Sequence, residues 1–103
     1  MKYKIKKSRL DSLIMNYLDS VFFGMEEHND VIGGKGYQWW GKGDDEMIAI
    51  DNSVKDELAI GIEDSIWQSV RGMFNLTPIQ TDEYFTRWIQ ENLDLSPLEI
   101  FSF

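Results

Sequence analysis

The sequence predicts an α+β domain: an antiparallel sheet of three to five strands, with an N-terminal helix and a C-terminal helical pair packed on it. Three observations lead there. Hydrophobic spacing changes from period two to helical period near residue 8, returns to period two over 37–62, and becomes helical again from 64. The central strand-like runs follow one another with turn residues and no helical crossover between them, which excludes a parallel sheet there. The strands and helices are segregated along the chain, the mark of helices laid over one face of an antiparallel sheet.

Residues 1–7 alternate Lys2, Lys4 and Lys6 with Met1, Tyr3 and Ile5, as in a half-buried strand with a lysine-guarded edge. From Ser8, Leu10, Leu13, Ile14, Tyr17, Leu18 and Val21 form one helical stripe. Ser8 is the expected N-cap, Asp11 the acid three residues on, and Gly24 the stop. Residues 24–36 are expected to be mostly loop, with Val31-Ile32 a short extended piece. A hairpin follows: Tyr37–Trp40, a turn over Gly41–Asp45, then Met47–Ile50. Leu58, Ile60 and Ile62 make the third strand of a meander. Ile66, Trp67, Val70, Met73 and Phe74 define a helix capped by Asp64, with Asn75 as a left-handed terminator and Pro78 preventing continuation. Thr81 is the expected cap of a last helix bearing Phe85, Trp88, Ile89 and Leu93. The short link makes the two helices an antiparallel pair. Beyond Ser96-Pro97, residues 98–103 read as a final strand or docked tail.

A chain of 103 residues is one domain, 1–103. With 43% apolar residues, four Trp, four Tyr and six Phe, it is too rich in core anchors to be disordered. The absence of cysteine excludes disulfides and thiolate metal sites, and fits a reducing, cytoplasmic setting. The lysine-rich start resembles the first part of a secretory signal, but Asp11 and Asp19 interrupt the apolar stretch and no small-residue cleavage site follows Phe22-Phe23. No apolar run is long enough to span a membrane, and the polar face of the first helix is acidic rather than basic.

Charge is divided unevenly. Lys2, Lys4, Lys6, Lys7 and Arg9 give the first nine residues +5, and the rest carries −13, for a net −8. Such a body repels a phosphate backbone, so nucleic acid is not an expected partner.

The motifs that suggest chemistry fail on physical grounds. Gly36 to Gly43 (GYQWWGKG) fits the first seven positions of a phosphate-binding loop. Gly43 replaces the magnesium-binding hydroxyl, and Asp44, Asp45 and Glu46 stand where phosphate oxygens would lie. His28, the only histidine, lies among Glu26, Glu27 and Asp30. In an extended chain Glu26, His28 and Asp30 would share a face, yet no second His or Cys completes a zinc set. Asp51 opens an EF-hand-like stretch that lacks the sixth-position glycine and the final glutamate. No nucleophile–base constellation is visible. The expectation is a protein that is not an enzyme and holds no cofactor or metal.

The aromatic residues are more informative. Trp39 and Trp40 are adjacent, so in a strand they face opposite sides and only one can enter the helix-covered core. Tyr37 shares the face of Trp39. Tyr37, Trp39 and Trp40 are therefore the candidate interaction surface, with a protein partner or a second copy as the expected cover.

The lysine-rich start running into an amphipathic helix (Lys2 to Leu18) and the pattern Ile66, Met73, Phe74, Asn75, Leu76, Trp88, Ile89 and Leu93 resemble a class of small uncharacterised proteins from marine bacteriophages and environmental (metagenomic) sequences. The class carries no established activity. The resemblance implies a setting, that of a viral accessory protein acting inside a bacterial host. The expected function is contact with another protein, homodimerisation included. The alternative is an acidic nucleic-acid mimic that occupies a basic partner.

Overall fold

The computed structural model describes residues 7–32, 35–51, 58–97 and 99–103. Helix α1 (Lys7–Val21) is followed by strands β1 (Glu26–Ile32), β2 (Lys35–Lys42), β3 (Asp45–Asp51) and β4 (Ala59–Ile62). Helices α2 (Asp64–Met73) and α3 (Pro78–Leu93) come next, and β5 (Glu99–Ser102) closes the chain. The five strands form one sheet in sequence order. The first three pairings are antiparallel, and β4 pairs with β5 in parallel. That last pairing follows from the route: two helices separate β4 from β5, so the chain can re-enter in the same direction. The α+β architecture expected from the sequence is therefore present, as a mixed five-stranded sheet. The lysine-alternating strand expected over residues 1–7 lies outside the described residues except for Lys7, which is helical.

One face of the sheet and all three helices share a single core. Trp40, Ile48, Ile50, Ile60 and Ile62 from the sheet meet Ile14, Leu18 and Phe22 at α1, Val70 from α2, and Phe85, Trp88 and Ile89 from α3. Each fully buried aliphatic or phenyl side chain in such a set contributes about 1.5–3 kcal/mol. Phe22, just past the end of α1, holds the first and last helices together through its ring contact with Trp88, centroids 4.5 Å apart. Leu13, expected in the buried stripe of α1, sits at its margin and is 43% exposed. Gly24 ends the connection to β1 with φ +79°, a left-handed conformation that glycine adopts without penalty.

Several local expectations are corrected. Helix α1 begins at Lys7, so Ser8 lies inside its first turn rather than at the cap. Residues 26–32 are a full strand, not a loop. This strand is polar and lies at a sheet edge, so it shows no apolar alternation. Its pairing with β2 specifies it instead, through seven consecutive register pairs from Glu26↔Gly41 to Ile32↔Lys35. The Gly33-Gly34 dipeptide between the two runs is the sequence signal that points to this hairpin.

The cap of α2 is Glu63, one residue before Asp64. Its carboxylate accepts from the Ser65 and Ile66 amides and from the Ser65 hydroxyl, and these bonds hold it below the usual glutamate range. Helix α3 starts at Pro78 under a Thr77–Gln80 capping box. Proline thus begins this helix rather than blocking it, because the first helical amide has no intrahelical acceptor to lose. Thr81 is fully buried one turn in, with its hydroxyl donating to the Thr77 carbonyl at 2.8 Å. Asn75, as expected, adopts a left-handed conformation, φ 51°.

The α1–α3 contact is polar at its rim. The Tyr84 hydroxyl donates to the Asp11 carboxylate, and Arg87 Nη1 lies 3.6 Å from the same group. Burial, reinforced by the bond to Asp11 and by its charge, pushes the Tyr84 phenol up to about 12. In the unfolded chain a tyrosine ionises near ~10. The contribution of this contact is therefore complete below about pH 10 and lost as pH rises through about 12. An ultraviolet titration should show a phenolate transition near 12 that Tyr84→Phe removes.

The sheet imposes a sharper constraint at Gly41. A Cβ there would overlap the Asp45 carbonyl oxygen and lie 2.7 Å from the Trp39 ring, whereas one at Gly36 meets nothing within 4 Å. Gly41→Ala should cost more than about 2 kcal/mol in urea unfolding, and Gly36→Ala should lie within about 0.5 kcal/mol of wild type.

Candidate contact surface

The alternation along β2 divides its aromatic residues between two environments. Trp40 points into the core and is 7% exposed. Tyr37 and Trp39 lie on the opposite face, both half-buried. Of the three residues expected to form the surface, two are therefore outward, and Trp40 supports them from beneath the sheet. None of the described helices supplies a core residue to that outer face.

The register shows what surrounds Trp39. His28 of β1 is directly opposite and its imidazole stacks on the indole, centroids 3.9 Å apart and planes 10° from parallel. The indole Nε1 donates to Asp30 Oδ2 at 2.7 Å. Trp39 is thus fixed at two points by β1, and its ring leans over Gly41. Glu26, His28 and Asp30 do share a face, as the extended chain requires, but Asp30 is turned towards an indole. Among the described residues no group of three His, Asp or Glu side chains is placed to hold a metal ion.

A register shift between Trp40 and Gly41 then brings Glu46 opposite Gly41, with Met47 as the extra residue of β3. The bulge returns Glu46 to the Trp39 face. Burial, and secondarily the Asp30 charge, raise the Glu46 carboxyl above its usual range. Two polar atoms in this patch, His28 Nε2 and Glu46 Oε1, are shielded from solvent and make no hydrogen bond. An unmet buried polar atom costs about 1–3 kcal/mol, so each of these two groups subtracts from the stability of the sheet.

Across the sheet the row continues from Trp39 to Ala49, Gly61 and Phe101. Its centre is small and its ends are aromatic, with Phe101 and Phe103 leaning over Gly61. Phe103 is 42% exposed. Sequence reasoning missed this second aromatic end, because nothing local in Phe101 and Phe103 shows that β5 returns beside β4. His28, expected in a loop, lies on β1, and its spacing from Asp30 suits the stack and the hydrogen bond that the two make with Trp39.

The run from Gly36 to Gly43 is extended rather than wrapped: Gly36, Gly41 and Lys42 lie within β2, and Gly43 (φ +60°) opens a two-residue turn. It has no helix N-terminus after it, which removes the geometry of a phosphate-binding loop. Most of the EF-hand-like stretch, residues 52–57, lies outside the described residues. No helix of the described residues is long and apolar enough to cross a membrane.

No protein-family model, curated protein or solved structure matches the chain.

The stack gives a direct test. His28→Phe keeps a ring on Trp39 and deletes the unmet nitrogen, so its urea midpoint should equal or exceed that of wild type. His28→Ala uncovers the indole and should lose about 1 kcal/mol.

Proposed function

We propose that this protein acts by contact with another protein, without catalysis, through the sheet face that carries Tyr37 and Trp39. The observation that supports this reading most is the His28–Trp39 stack. A tryptophan held by a ring and a carboxylate on a face to which no described helix contributes is a rigid, amphipathic anchor that requires little ordering on binding. Trp40 anchors the same strand from the core side. The unmet polar atoms at His28 and Glu46 support the same reading, since stability is commonly given up where a surface serves binding. The absence of cysteine supports a cytoplasmic location.

The acidic nucleic-acid mimic is the weaker reading. A mimic presents free carboxylates at phosphate-like spacing, whereas Asp11, Asp19, Asp30 and Asp82 accept hydrogen bonds from ring donors.

Site-specific photo-crosslinking tests the proposal. A benzophenone side chain at position 37 should yield a discrete protein adduct in cells, identified by mass spectrometry. The same probe at the exposed Arg71 position of α2 should not. Identical adduct patterns from both positions, or no adduct at either, would contradict the proposal.

A further inference from the structure

We infer that β1 is a docking edge, and that its occupant is an extended, lysine- or arginine-bearing segment of a partner protein that adds a strand to the sheet. The inference rests on the contact function proposed above and names the chemistry of the partner. Strand β1 is terminal in the sheet, and among the described residues no strand pairs with its outer side. An edge of this kind presents a row of backbone donors and acceptors to any chain that can match it.

Natural edges are blunted by shortness, bulges, proline or charged side chains, and of these β1 carries only charge, which repels a like-charged strand and admits a basic one. This one is seven residues long and pairs with β2 without interruption, while the irregularity of the sheet falls one strand further in. Two of its side chains are tied to Trp39 of β2, His28 by its stack on the indole and Asp30 by the hydrogen bond that it accepts. Near its end Val31 is 75% exposed, an apolar contact point for a neighbouring strand.

Charge selects the occupant. Glu26, Glu27 and Asp30 line β1 with no lysine or arginine among them, and Glu46 lies close enough on the outer face to feel the Asp30 charge. Alternate β1 residues face opposite sides of the sheet, so an added strand meets carboxylate charge on both: Glu26 and the Trp39-bonded Asp30 on one, and Glu27, which accepts from Gln38, on the other. Cations on such a strand are drawn to both sides, and opposite charges across strands are favourable. A second copy pairing β1 with β1 would bring three carboxylates from each chain together, and like charges facing one another are destabilising. The edge therefore favours a basic segment over self-pairing.

The test uses the whole chain and two capped nonapeptides, one alternating lysine with threonine and one alternating glutamate with threonine. Amide shifts and hydrogen exchange should respond to the lysine peptide along Glu26–Ile32 and stay unchanged with the glutamate peptide. Binding should weaken at least about tenfold between about 50 and about 500 mM salt. The variant Glu26→Lys/Val31→Lys, with its fold checked by circular dichroism, should bind the lysine peptide at least about tenfold more weakly. Shifts scattered over all acidic surfaces, or none in β1, would overturn the inference. A dimer in sedimentation equilibrium with β1 amides protected would overturn it in favour of a second copy. Should the edge fail while crosslinking from position 37 yields its adduct, the contact function stands and only the edge is refuted.

Discussion

Trp39 and Trp40 are consecutive residues of an extended strand, so the backbone must send their rings to opposite faces of the sheet. Everything else in the architecture accommodates that division. The inward ring joins four isoleucines and the three helices in one core, and none of the described helices adds a core residue to the other side. The outward ring needs another means of support. It receives it from β1, through a stacked imidazole and a carboxylate, and from Gly41, whose missing side chain leaves room for the indole. The bulge opposite Gly41 lets β3 pass this crowded point while keeping Ile48 and Ile50 pointed at the helices.

The acidic composition has a structural use. Three of the four indoles donate to aspartates: Trp39 to Asp30, Trp67 to Asp82 and Trp88 to Asp19. Tyr84 does the same with Asp11. A large ring that is shielded from water must give its N–H or O–H a protein acceptor, and a charged acceptor gives a stronger bond than a neutral one. Trp88–Asp19 and Tyr84–Asp11 tie α1 to α3, and Trp67–Asp82 ties α2 to α3. Four of the 18 acids are thereby bound to aromatic donors, and Glu63 caps a helix. Glu26 and Glu27 of β1 and the carboxylates of the β2–β3 turn form the acidic end of the sheet.

The sequence made much of this legible, wherever one side of an element is apolar. The stripe of α1, the Tyr37–Ile50 hairpin, and the faces of α2 and α3 all carry a period that burial enforces. The opposite orientations of Trp39 and Trp40 follow from period two alone. Strand β1 was hidden because it buries no apolar row: its specification is relational, residing in a partner strand and in one histidine that fits one tryptophan. The caps of α2 and α3 were misplaced for a related reason. Glu63 is longer than the usual cap side chains, and Thr77-Pro78 reads as a break until Gln80 is recognised as the other half of a capping box. The parallel return of β5 depends on how two helices pack across the sheet, which no local window contains.

Among the described residues β1 is a regular strand paired on one side only. In an antiparallel pair, successive residues alternate between directing their amide towards the partner and away from it. Residue-resolved amide hydrogen exchange of the isolated protein measures this directly. Exchange should alternate along Glu26–Ile32, slow at amides bonded to β2 and fast at the amides between them. Uniform protection over that segment would mean that its outer edge is already covered, and uniformly fast exchange would mean that the strand does not form. Either result would contradict a β1 that is paired with β2 and open on its other side.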